Sequence, residues 1–221
     1  NNKIHIYGGY GFWSFKSFIT FFDNNISQWD LLYNESKYIP PGRWKPIYNL
    51  INDRLYVLGG RSGVAGSVDL DESFSDVFYF DFIEKEFVNV GKLNPNIQTS
   101  YSLFSAPKIE DNILILNNLH LTKIDFKNLT FTNYSREKAF SDVDNKYPAF
   151  VNNQNLFYIS GVNGEKFLNI FDVSSIDESF NSESFSLLAS PNNLSTKNYI
   201  FFGLFIAIVF WIILKIFSTN L

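Results

Sequence analysis

Few side chains in this chain are suited to chemistry on a substrate. In 221 residues there are two histidines, His5 and His120, and neither cysteine nor methionine. Without cysteine there is no thiolate nucleophile, no thiolate metal site and no disulfide framework. His5 alternates with Ile4 and Ile6 in a strand-like run, which predicts a structural or surface role, and His120 falls in a short, solvated loop. Asp69, Asp71 and Glu72 share one loop, but their spacing fits no EF-hand, so a solvated loop is expected there. No catalytic set, metal site or cofactor is predicted. Aromatic residues, by contrast, are abundant, with 25 Phe, 12 Tyr and 4 Trp, enough for a core of stacked sheets. The loop Tyr10-Gly11-Phe12-Trp13 can offer ring faces to a sugar or a peptide, packing within the fold being the alternative. A net charge of −4 with no basic block argues against nucleic acid as a partner.

The elements that must position these residues repeat along the chain. The run Ile4–Tyr7 ends in Gly8-Gly9, a later run ends in Asp23, and Trp29 follows six residues on. The second unit has Gly59-Gly60, Asp81 and Phe87, and the third has Asn117-Asn118, Asp125 and Phe131. The fourth has Ser160-Gly161 and Asp172, with its closing aromatic displaced to Phe180 or Phe185. The second residues of the pairs stand at 9, 60, 118 and 161, in steps of 51, 58 and 43. A period near 50 with several short strands per unit predicts propeller blades of four strands.

The second unit supplies Arg43–Leu50, Arg54–Gly59, Val77–Phe82 and Glu86–Leu93, and the third Tyr101–Ile109, Asn112–Leu116, Leu121–Phe126 and Leu129–Tyr134. The fourth supplies Pro148–Asn152, Leu156–Ser160, Phe167–Val173 and Ser184–Ala189, while the first opens at its second strand. Paired glycines at a strand end permit positive φ and close backbone approach. An aspartate ending the third strand can accept amides in the turn that follows.

Together with Pro40-Pro41-Gly42-Arg43 ahead of a strand, these features resemble the kelch repeat family of β-propellers over residues 4–190. The departures are Asn117-Asn118, the displaced fourth aromatic, and Phe in place of the family's usual Trp at Phe87 and Phe131. The resemblance implies an all-β, kelch-type propeller with about four blades visible from a ring of six or seven, the others lying in a missing N-terminal part. It also implies that Arg43 faces a pocket at the channel mouth and binds an acidic group, a rim salt bridge being the alternative. Arg61, directly after Gly60, is a second candidate. The copper-radical oxidases of this fold need a cysteine linked to tyrosine, which this chain lacks. The sialic-acid mutarotases resemble kelch propellers too, and imply a membrane-tethered carbohydrate-active enzyme as the alternative function.

Residues 174–197 are rich in Ser, Asn and Pro, which predicts a last strand and then a linker at 191–198. From Asn198 to Leu214 no residue is charged. The apolar run 199–217 is about 28 Å long as a helix, close to the bilayer core, with a short tail at 218–221. Tyr199 and Trp211 suit an aromatic belt and Lys215 can snorkel. The expectation is a single-pass protein with its propeller outside the cytoplasm and its C-terminus inside, a tail anchor with the propeller in the cytoplasm being the alternative. Its predicted role is binding or scaffolding, with sensing as a variant, toward a protein or carbohydrate partner.

Overall fold

One turn, used three times, sets the strand pairing. It joins β4 (Ile19–Asp23) to β5 (Gln28–Leu31), β10 (Asp76–Asp81) to β11 (Glu86–Lys92), and β14 (Leu121–Asp125) to β15 (Thr130–Ser135). The terminal aspartate pairs with the residue five on: Asp23 with Gln28, Asp81 with Glu86, Asp125 with Thr130. Its Oδ1 accepts the amide two residues on, from Asn25 at 2.8 Å, Ile83 at 3.0 Å and Lys127 at 2.9 Å. The residue four on is left-handed, with φ of 54° at Ser27, 55° at Lys85 and 51° at Leu129. The register then places Trp29 opposite Phe22, Phe87 opposite Phe80, and Phe131 opposite Ile124. The six-residue spacing is therefore the length of this capped turn plus one rung of strand.

The computed structural model describes residues 3–11, 14–62, 72–95, 97, 107–116, 121–135, 142–144, 147, 149–176 and 180–189. They are all-β, in four antiparallel sheets and two short ribbons, with no sheet closed on itself. The first sheet runs β1 (His5–Tyr7), β4, β5; the second runs β6 (Ile47–Ile51), β7 (Arg54–Leu58), β10, β11. The third runs β12 (Lys108–Ile109), β13 (Asn112–Leu116), β14, β15, β19 (Asn181–Ser186). The fourth runs β16 (Phe150–Asn152), β17 (Asn155–Val162), β18 (Glu165–Asp172). The ribbons pair β2 (Tyr10–Gly11) with β3 (Ser14–Phe15), and β8 (Arg61–Ser62) with β9 (Glu72–Ser73). Two-residue loops with both φ positive, Asn52-Asp53 and Asn153-Gln154, join the first strands of the second and fourth sheets to the next.

Because side chains alternate along a strand, each inner sheet feeds two core layers. Val57, Phe78 and Phe87 pack toward Ile19 of the first sheet. From the same strands, Leu58 and Val77 pack toward Ile113, Ile115 and Phe131 of the third sheet. Leu114, Leu116 and Leu121 then meet Leu156 of the fourth. The sheets are stacked face to face in chain order.

Three expectations are corrected. The segment expected as the fourth strand of the last unit, Ser184–Ala189, does not join that sheet. Instead β19 pairs with β15, Phe185 opposite Phe131, their rings stacked 5.2 Å apart. After β18 the chain enters a 3-10 turn, Val173–Ser175, whose N-cap Asp172 accepts the Ser174 amide at 2.9 Å. Ile176 and Phe180 are then buried between the third and fourth sheets, Phe180 edge-on to Phe171 at 5.5 Å. Leu187, anchored by Leu129 and Asn94, seats in the layer between the second and third. Burial of these three apolar side chains leads the strand to the other sheet.

Second, Gly161 lies within β17, opposite Lys166, and has no positive φ; the left-handed residues come next, Asn163 at 51° and Gly164 at 87°. Third, the strand expected from Arg43 begins only at Ile47, because Trp44 pairs with Arg61 instead. The compact unit runs to Leu188. The linker and the apolar run 199–217 lie outside the described residues, among which no helix is long and apolar enough to cross a membrane.

Candidate functional site

A glycine pair after β1 of the first sheet and another after β7 of the second release the chain into the two ribbons. Gly8 and Gly9 have φ of 76° and 98°, and Gly59 and Gly60 have 56° and 94°. Between them the loop before β6 lies directly on the first ribbon. A Cβ on Gly42 would stand 2.1 Å from the carbonyl oxygen of Phe15, so only glycine permits that approach.

The next residue, Arg43, is 1% exposed. Its Nη1 donates to Asp76 Oδ1 at 2.7 Å and its Nη2 to Asp76 Oδ2 at 2.8 Å, a two-pronged ion pair. Nη1 also donates to the Gly59 carbonyl at 2.7 Å, and Nε to the Pro41 carbonyl at 3.2 Å. The guanidinium carbon lies 4.5 Å from the Phe74 ring centroid and 4.7 Å from that of Phe78. Tyr38 donates from its hydroxyl to Asp76 Oδ2 at 3.0 Å. The structure thus places Arg43 in an interior ion pair rather than at an open pocket. A buried guanidinium is tolerable only when paired and hydrogen-bonded in this way.

Two phenols feel this pair. Burial pushes Tyr7 up to about 12 against the opposing pull of Arg43, and its hydroxyl is buried without a hydrogen bond of ordinary geometry. Burial, then the Asp76 charge, pushes Tyr38 upward as well.

The anchored loop carries an aromatic row to the surface. Trp44 and Arg61 exchange backbone hydrogen bonds at 2.9 and 3.0 Å. The Trp44 ring stacks on Phe15, centroids 6.2 Å apart and planes 9° from parallel. Phe15 in turn meets Tyr10 at 5.1 Å, and Tyr10 is 55% exposed. Lys45 Nζ lies 4.5 Å from the Trp44 centroid. Of the residues predicted from sequence, the fold brings together Tyr10, Arg43 and Arg61, the last half-buried in its ribbon. Trp13, His120, Asp69 and Asp71 lie outside the described residues. Glu72 pairs in β9 opposite Ser62. His5 packs edge-on against Phe82 at 4.9 Å, away from this end. Among the described residues no group of three His, Asp or Glu side chains could hold a metal.

Asp76, Tyr38, Phe15 and Trp44 were not predicted as site residues. Asp76 has no counterpart in the repeat, the equivalent positions being Phe18, His120 and Phe167, so periodicity gave no signal for it.

The opposite end of the second sheet holds a cleft of about 390 Å³, lined by Ile51, Arg54, Tyr56, Asp81, Ile83 and Lys127 among others. Arg54 Nε donates to Asp81 Oδ2 at 3.0 Å. Burial pushes the Asp81 carboxyl up, but Arg54 and the amides of Glu84 and Ile83 outweigh it and hold the group below its ordinary value. An acid held ionised in this way is a poor proton donor near neutrality. No protein-family model matches the chain, and no curated protein sequence matches it.

Proposed function

We propose that this chain is an arc of a kelch-type β-propeller that serves as a non-catalytic binding module, held at a membrane by the run 199–217 with the propeller outside the cytoplasm. In-phase sheets stacked in chain order support the propeller reading. The observation that carries the binding role is the row Tyr10, Phe15 and Trp44, which is exposed at its Tyr10 end and fixed behind by Arg43 and Gly42. Rings held rigidly at a surface bind at little entropic cost, and their electron-rich faces attract the polarised C–H bonds of a sugar. A glycan is the ligand class this favours. The acid of the opposite cleft is committed to a turn and an ion pair, which favours recognition over acid–base catalysis.

The test is an oligosaccharide array probed with the full chain in detergent. The expected result is a defined subset of bound sugars, with Tyr10→Ala weakening them about tenfold, or about 1.4 kcal/mol, while the melting temperature stays unchanged. A bare array, or binding indifferent to Tyr10→Ala, would overturn the proposal.

A further inference from the structure

Two arginines pair with the aspartates at the two ends of β10, and they do so differently. Arg43 spends Nε, Nη1 and Nη2 on Asp76 and two carbonyls, and its side chain is wholly buried. Arg54 donates to Asp81 from Nε alone, and its side chain is 46% exposed. Neither Nη of Arg54 makes a hydrogen bond of ordinary geometry among the described residues. The pair itself is structural, since Lys3 stands likewise beside Asp23 at 4.0 Å in the first sheet. What it leaves over is a guanidinium fork, whose terminal nitrogens suit the two oxygens of a carboxylate.

Arg54 lines the cleft of about 390 Å³ between the turns of the second and third sheets, a volume suited to a small molecule. The other cation there is Lys127, which is exposed and whose amide is fixed on Asp125 at 2.9 Å. Its Nζ has no carboxylate within ion-pair distance among the described residues. Asp81 is the acid that lines the cleft, and its oxygens are taken by Arg54 and by the amides of Ile83 and Glu84. Two cations against one ionised acid leave one positive charge uncompensated. The walls are apolar: Ile51, Ile83, and Tyr56, whose ring meets Tyr79 at 5.3 Å and Phe126 at 5.6 Å. The Arg54 guanidinium lies 4.8 Å from the Tyr79 centroid, so cation and wall are in place before a ligand arrives.

We infer that this cleft binds a small organic acid, its single carboxylate between the Arg54 fork and Lys127 and its apolar body against Tyr56, Ile51 and Ile83. Charge selects the monoanion, which cancels the one positive charge left over, where a phosphate dianion would put a negative charge in excess. The apolar wall selects an organic acid over an inorganic anion, which would leave that surface wet. The site lies at the other end of the second sheet from the aromatic row, and it depends on neither the propeller nor the glycan reading.

The probe is para-fluorobenzoate, titrated into the full chain in a non-ionic detergent and followed by fluorine NMR, with para-fluorobenzamide as its uncharged counterpart. The expected result is saturable binding of the acid below about 10 mM, with the amide weaker by about tenfold or more. Lys127→Gln, at an exposed position, and Arg54→Lys, which keeps a cation beside Asp81 but loses the fork, should each weaken the acid about fivefold or more. Lys127→Gln should do so without a change in melting temperature. Lys92→Gln removes the same charge at the other end of the sheet and should leave the affinity as it was. Inorganic phosphate at the concentration of the acid should not displace it. Equal binding of acid and amide, no saturation by about 10 mM, or an affinity indifferent to Lys127→Gln or to Arg54→Lys would overturn the inference. So would a loss in Lys92→Gln as large as in Lys127→Gln, which would reduce the effect to overall charge. Phosphate displacing the acid at equal or lower concentration would overturn the choice of an organic monoanion.

Discussion

The guanidinium of Arg43 and the carboxylate of Asp76 form a two-pronged ion pair, at 2.7 and 2.8 Å, between the loop before β6 and the first residue of β10. The pair clamps the connection between the first two sheets onto the end of the second. Arg43 also holds the Gly59 carbonyl, just past the end of β7, and the Pro41 carbonyl of its own loop. Removing Arg43 leaves the Asp76 carboxylate, 21% exposed, with the Tyr38 hydroxyl still donating to it, and empties an interior site, so the loss approaches the cost of breaking a buried pair, up to about 3–5 kcal/mol. Arg43→Ala is therefore expected to destabilise the chain by about that amount in urea unfolding, and to loosen the aromatic row only as a consequence. A change below about 1 kcal/mol, the scale of a surface pair, would show that the pair is not an anchor.

Gly42 and Gly9 separate crowding from backbone strain. A Cβ on Gly42 meets the Phe15 carbonyl at 2.1 Å, whereas one on Gly9 meets nothing within 4 Å and suffers only from its φ of 98°. Gly42→Ala is expected to cost about 3 kcal/mol, the upper end for overpacking against atoms that cannot yield. Gly9→Ala should cost about 1–2 kcal/mol, as left-handed backbone does for a residue with a side chain. Thermal unfolding of the two variants side by side checks this. Equal losses would mean that the loop does not lie on the ribbon.

Acid should attack the turns. Asp81 is held below its ordinary value by Arg54 and two turn amides, which outweigh its burial, and Asp125 is held down by the backbone and side chain of Asn128 despite burial. Groups depressed in the fold contribute stability that is complete above the unfolded value, near about 3.9. That stability is lost as pH falls from there through the lower folded value. The urea midpoint should thus hold steady toward about pH 4 and drop below it. Asp81→Asn keeps an amide acceptor but loses the ion pair, so it should lower the midpoint at neutral pH and flatten the acid limb. An unaltered acid limb in Asp81→Asn would remove Asp81 from the explanation.

Much of this architecture was legible because one local device repeats. The Asp-to-aromatic spacing is fixed by a capped turn of constant length, so Asp23, Asp81 and Asp125 announced their hairpins before any pairing was known. The paired glycines at 8, 9, 59 and 60 mark real left-handed backbone. Asn163-Gly164 was a readable two-residue turn signal, and it, not Gly161, closes the hairpin of the fourth sheet. Two features left no local trace. The partnership of Arg43 with Asp76 spans 33 residues and occurs once, so periodicity carries nothing about it. The choice of β19 for the third sheet follows from where Ile176, Phe180 and Leu187 find burial, a tertiary preference that strand propensity does not encode.

The stacking of the sheets in chain order is the claim on which the rest depends, and pairwise spin-label distances test it most directly. The cysteine-free chain accepts labels at Asn25, Glu84 and Lys127, exposed positions in the equivalent turns of the first, second and third sheets. Packed sheets lie about 10 Å apart. The account predicts similar distances for Asn25 to Glu84 and Glu84 to Lys127, and a clearly longer one for Asn25 to Lys127. An Asn25 to Lys127 distance equal to or shorter than the other two would contradict it.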